Sequence, residues 1–180
     1  MFFSKLISLK SRNCFSIHKI FFSLTFVFIV ALTLLFTSCT SSSFYPHKKC
    51  SNVIDAKGVK TEEQLVSFFL ENSPDADFEK VSELASFYIM ECKYEGINSD
   101  VAFVQMCLET GFLHFGNLVT PEMNNFCGLG AIDQNQRGLS FETPQLGVRA
   151  HIQHLLAYSS TRKPTLPLVD PRYFIVRKAC

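Results

Sequence analysis

Residues 100–129, DVAFVQMCLETGFLHFGNLVTPEMNNFCGL, carry a helix to its end and leave one carboxylate, Glu109, at that end among aromatic residues. Val101, Val104 and Leu108 fall at i, i+3 and i+7, the spacing of an apolar helical stripe expected to face a core. Asn98, Ser99 and Asp100 offer N-cap side chains and Gly111 a stop, so the helix is predicted to end at Glu109-Thr110-Gly111. A carboxylate in the last turn meets the negative end of the helix dipole, and Phe112, Phe115 and Phe126 are near enough in sequence to strip it of water. Both effects favour the protonated carboxyl that a general acid needs at neutral pH. On the Glu-Thr-Gly tripeptide alone, a solvated glutamate beside a helix cap is the simpler reading.

Upstream, Thr61-Glu62-Glu63-Gln64 has the form of a capping box opening a helix with Leu65, Phe68 and Phe69 on its apolar face, closed by Pro74. A second helix is predicted from about Asp77 to Glu95, with Phe78, Val81, Ala85, Tyr88 and Cys92 as its stripe and Gly96 as its stop. Glu79, Lys80, Glu83 and Glu91 are expected on its solvated face. Downstream, Thr120-Pro121 opens a short helical turn, and the glycine-punctuated Gly128–Phe141 reads as a small β-hairpin lobe. Thr143-Pro144 starts a further helix with Val148, Ile152, Leu155 and Leu156 on its buried side.

Three segments in order and register raise the standing of Glu109. They are Glu109-Thr110-Gly111-Phe112, then Asn124-Asn125-Phe126-Cys127-Gly128-Leu129-Gly130, then Gly147-Val148-Arg149-Ala150-His151-Ile152-Gln153-His154-Leu155. Together they resemble bacterial glucosaminidase domains of the mannosyl-glycoprotein endo-β-N-acetylglucosaminidase type, related to glycoside hydrolase family 73, from about Thr61 to Arg172. The resemblance implies a mainly α, lysozyme-like helical domain with a small β-hairpin lobe. It also implies that Glu109 is the general acid in cleaving peptidoglycan glycan strands. Related domains with residues like Val169-Asp170-Pro171-Arg172 continue into a segment with a tryptophan and a tyrosine at the site, whereas this chain has no Trp. Either Tyr158 or Tyr173 is then expected to substitute, or the domain is C-terminally incomplete.

A two-carboxylate mechanism needs a partner for Glu109, and the downstream choices are Glu122, Asp133 and Glu142. Asp133 ranks first, because it lies in the expected β-lobe, although a turn role would equally explain it. A substrate with an N-acetyl group can also assist its own cleavage and leave Glu109 as the sole essential carboxylate. Asn124 and Asn125 offer amides suited to sugar hydroxyls and N-acetyl groups, with Phe126 an apolar face beside them, and turn-building asparagines are the competing explanation. His151 and His154 lack a third ligand of matching spacing, so no metal or other cofactor is expected, and they read as ordinary polar-face or groove histidines. A thiol nucleophile at Cys107 or Cys127 with a histidine partner is a formal alternative, set against the frequency of small buried cysteines.

Residues 1–38 contain Lys5, Lys10, Arg12 and Lys19, no acidic residue, and the apolar run Ile20 to Phe36. The sequence Leu35-Phe36-Thr37-Ser38-Cys39 before a Ser-rich stretch resembles a bacterial lipoprotein signal with Cys39 lipidated, although Phe36 stands where Leu is usual. Export and a membrane anchor follow from that reading, with residues 39–60 as a tether and 61–180 as the domain. Without the leader, 13 basic residues face 16 acidic ones, so no basic footprint for nucleic acid remains. Cys50, Cys92, Cys107, Cys127 and Cys180 form no Cys-x-x-Cys pair, and their odd number leaves at least one unpaired in a monomer. The expected function is an anchored endo-β-N-acetylglucosaminidase acting on peptidoglycan. The alternatives are a peptidoglycan-binding lipoprotein without catalysis and a muramidase or lytic transglycosylase.

Overall fold

The computed structural model describes residues 49–116 and 118–180, so the leader and Cys39 lie outside the described residues. Among the described residues five α-helices carry the fold: α1 (Glu62–Asn72), α2 (Phe78–Glu95), α3 (Ser99–Thr110), α4 (Pro144–Ser159) and α5 (Tyr173–Ala179). A 3-10 turn at Pro121–Met123 and the strands β1 (Ala131–Asp133) and β2 (Gln136–Arg137) lie between α3 and α4. The architecture is the mainly helical one with a small β element that the sequence leads one to expect.

Local chemistry sets the helix ends. Thr61 and Gln64 close a reciprocal capping box on α1, and the Asp77 carboxylate accepts from Glu79 N and Lys80 N at the start of α2. Gly96 ends α2 at φ 70, a conformation that costs glycine little. Thr143 caps α4 through Leu146 N, with Pro144 in its first turn.

α2 packs against α1, α3 and α4, and α5 against α4. Phe69, Tyr88, Phe103, Met106, Ile152 and Leu156 fill the space between them, fully buried. The Tyr88 and Phe103 rings meet edge to face at 5.7 Å. Burying each such side chain contributes about 1.5–3 kcal/mol. The hairpin is antiparallel, with Ala131 opposite Arg137 and Asp133 opposite Gln136.

Several expectations about which side chains face inward fail, for α3 because a second apolar stripe competes and for Glu91 and His151 because a non-local partner intervenes. The stripe Val101, Val104 and Leu108 faces outward, and α3 instead buries Ala102, Phe103, Met106, Cys107 and Thr110. Phe78, expected in the stripe of α2, is exposed. Glu91, expected on the solvated face, is fully buried because Arg149 on α4 reaches it with Nε at 2.8 Å and Nη2 at 2.9 Å, and Gln145 Nε2 adds a third bond at 2.7 Å. His151, expected on a polar face or groove, is buried at the α2–α4 contact, its Nδ1 2.8 Å from Tyr88 Oη.

Residues 51–60, within the expected tether, are fastened to the start of α3. Asn98 Nδ2 donates to Ser51 O and Val53 O, while the Asp100 carboxylate accepts from Val59 N and Lys60 N. The segment after α4 is held by a second buried carboxylate, Glu95, which accepts from Thr165 N and Leu166 N.

Candidate active site

Glu109 occupies the last turn of α3, and its two neighbours in the Glu-Thr-Gly motif build the turn that presents it. The Thr110 hydroxyl is buried, donating to Met106 O at 2.7 Å and accepting from Leu113 N at 3.0 Å. Gly111, Phe112 and Leu113 then take φ 57, 55 and 64, three consecutive left-handed residues. For the two non-glycine residues this costs roughly 1 kcal/mol or more each. Phe112 N to Cys107 O at 2.7 Å and Phe115 N to Thr110 O at 2.8 Å hold the conformation, and the Phe112 ring packs on Phe68 and Phe69. Glu109 itself is exposed, and its carboxylate makes no hydrogen bond or ion pair among the described residues.

The carboxylate lines a cavity of about 450 Å³ between the end of α3 and the segment leading into the hairpin. Leu108, Phe115, Leu118 and Val119 give it apolar walls, and Asn125, Cys127, Gly128 and Ala131 close the far side. Of the three phenylalanines expected around Glu109, only Phe115 is in this wall. Phe112 is turned toward α1, and Phe126 is a core residue only 2% exposed. Leu118, Val119 and Ala131 are not indicated by the sequence, because only the fold of the loop brings them to Glu109.

Asn125 does reach the cavity, but its amide is committed. Nδ2 donates to Leu129 O and Leu139 O, both at 2.9 Å, and Oδ1 accepts from Leu129 N at 2.9 Å, so the side chain welds the base of the hairpin lobe to the wall facing Glu109. Asn124 stands at φ 49, donates through Nδ2 to Phe141 O, and does not line the cavity. Asp133 also lies outside it. Its Oδ1 accepts from Asn135 N and Gln136 N and forms the hairpin turn. Glu122 and Glu142 are exposed elsewhere, and the Thr120 hydroxyl, with the backbone at Glu122, holds the Glu122 carboxyl below its ordinary value. Tyr158 is exposed on α4 and packs edge to face on His154, whose Nδ1 pairs with buried Asp170 at 2.9 Å. Of the residues anticipated from the sequence, the structure thus brings Glu109, Phe115, Asn125 and Cys127 together at one cavity.

Thiol chemistry finds no support. Burial pushes the Cys107 thiol up to about 12 and the Cys127 thiol higher still, so both are protonated and poor nucleophiles. Burial also depresses His151 to about 3, with a smaller contribution from His154, and its Nδ1 is engaged by Tyr88. Among the described residues, no group of three or more His, Cys, Asp or Glu side chains is placed to hold a metal ion.

A family model described as mannosyl-glycoprotein endo-beta-N-acetylglucosaminidase, the glucosaminidase domain, matches residues 85–175. That span includes Glu109, the whole cavity wall, the hairpin and α4. An uncharacterized protein of Borreliella burgdorferi is 41% identical over 123 residues, covering 68% of this chain and 60% of the relative, so the chain spans about three fifths of that protein's length. No solved structure matches. With half its length in register with that model and the Glu-Thr-Gly turn opening onto a cavity, the chain belongs to the glucosaminidase family.

Proposed function

We propose that the chain is a peptidoglycan hydrolase that cleaves the glycan strand after N-acetylglucosamine, with Glu109 as the general acid. The observation that carries this reading is that, among the described residues, Glu109 is the sole carboxylate lining the cavity, at the end of a helix packed into the core on one face, and free of partners. Glu109 donates its proton to the glycosidic oxygen as the bond from that oxygen to the anomeric carbon breaks. With Asp133 bonded into the hairpin turn, the second role falls to the substrate's own acetamido oxygen, which bonds to the anomeric carbon to give a cyclic oxazolinium. Water then adds at that carbon, opening the ring, and the Glu109 carboxylate takes its proton.

The test is digestion of purified sacculi with analysis of the new reducing ends. N-acetylglucosamine ends are expected, and Glu109→Gln, nearly isosteric and at an exposed position, should lower turnover by at least about a hundredfold while leaving the melting temperature unchanged. N-acetylmuramic acid ends or anhydro products would reassign the chain as a muramidase or lytic transglycosylase.

We also propose export and anchoring through lipid at Cys39, supported by the basic start, the apolar run Ile20 to Phe36 and the Ser-rich stretch after the cysteine. Each buried methylene of an acyl chain contributes about 0.8 kcal/mol to membrane holding. Cys39→Ser should abolish incorporation of radiolabelled fatty acid, and retained label would sink the lipoprotein reading.

A further inference from the structure

Leu108 lines two cavities. One is that of Glu109, and the other, about 800 Å³, lies between the outward faces of α1 and α3. The second is floored by Leu65, Phe68, Val104 and Leu108, with Phe68 and Val104 each 37% exposed and Leu108 73%. Its volume falls in the range of about 300–1,000 Å³ that takes a ligand of several hundred daltons. An apolar surface left open beside a site for a polar sugar is a contact surface waiting for a partner. Gln105 brings its amide into the same wall with no hydrogen-bond partner among the described residues, and Lys60 faces two carboxylates there, Glu71 and the Asp100 carboxylate that Val59 N and Lys60 N already hold.

We infer that this groove holds the peptide stem borne by the muramic acid next to the cleaved bond. The inference rests on the peptidoglycan reading above. In a strand cut after N-acetylglucosamine, the following sugar is muramic acid, whose lactyl group carries a short peptide. That peptide projects from the strand one sugar from the scissile bond, and Leu108, which borders both cavities, sets the two sites one side chain apart. Its alanine methyls suit the Phe68 and Val104 floor, its amide links suit the free amide of Gln105, and its amine and carboxylates suit Glu71 and Lys60. A bare glycan brings no charge to meet Lys60 and Glu71, and an acyl chain would bury Gln105 and Lys60 without partners.

The deciding experiment measures binding rather than turnover. The full chain bearing Glu109→Gln, in detergent micelles, is titrated with soluble stem-bearing strands and with the same strands stripped of peptide by an amidase. Stem-bearing strands should bind about tenfold tighter, equivalent to about 1.4 kcal/mol. Adding Val104→Glu or, as a milder change, Gln105→Ala should each cut that ratio to below about threefold. Equal affinities for the two ligands, or a ratio that both substitutions leave intact, overturns the inference. A wild-type chain that releases nothing from sacculi would remove the hydrolase reading alone, since the binding ratio is measured on a protein without the acid.

Discussion

A Cβ added to Gly147 would stand 1.8 Å from the carbonyl oxygen of Asn124 and 2.9 Å from its carbonyl carbon. The first turns of α4 therefore rest directly on the left-handed residue that ends the 3-10 turn, and each partner suits the contact. Asparagine tolerates φ 49 better than most side chains, and glycine alone leaves room for its carbonyl. Helical glycine replaced by alanine ordinarily gains about 0.5–1 kcal/mol. Here the sign should reverse, with Gly147→Ala destabilising by about 1–3 kcal/mol as α4 is pushed from the loop. Urea denaturation of both proteins measures this, and an alanine variant at least as stable as wild type would show that the approach is looser than the backbone indicates.

Asn125 should be costly to replace although it touches no substrate in this reading. Asn125→Leu leaves Leu129 N and Leu139 O without their bonds, each loss worth about 1–3 kcal/mol where the group stays buried, while Leu129 O keeps its bond from Leu139 N. The expected result is a loss of at least about 2 kcal/mol, with sacculus hydrolysis falling because Cys127 and Gly128 no longer face Glu109. Normal activity in a variant of wild-type stability would place the lobe under some other control.

His151 gives the fold a defined acid sensitivity. Burial, with a smaller contribution from His154, holds it at about 3 against 6.5 when exposed. Between those values the unfolded chain binds a proton that the folded chain refuses, so stability falls as pH drops through the window. The slope for this one group is about 1.4 kcal/mol per pH unit. Denaturation midpoints between pH 7 and pH 4 should decline by one proton's slope more in wild type than in His151→Gln. Parallel declines would show that His151 takes up its proton without unfolding.

What was legible in the sequence was local. Thr61 with Gln64, Asp77, Gly96, Gly111 and Thr143-Pro144 act on backbone groups within a turn of themselves, so the helix ends could be read from composition and spacing. The inward face of α3 could not be read that way. Val101, Val104 and Leu108 form one apolar stripe and Ala102, Phe103, Met106 and Cys107 another, and only the docking of α2 chooses between them. Glu91 and His151 were misplaced for the same reason, since Arg149 and Tyr88 lie 58 and 63 residues away along the chain. Glu109 was legible as a helix-end carboxylate, but the company expected for it was not, because consecutive left-handed residues swing Phe112 away from it.

The division of labour within Glu-Thr-Gly bears on how the lineage can change. Thr110 and Gly111 hold the architecture, whereas Glu109 holds nothing among the described residues. Under the proposed mechanism, one base change in its codon, glutamate to glutamine, would remove the acid and leave the scaffold and the cavity intact. The turn and the chemistry proposed for it can therefore change independently, because they rest on different residues of the same tripeptide.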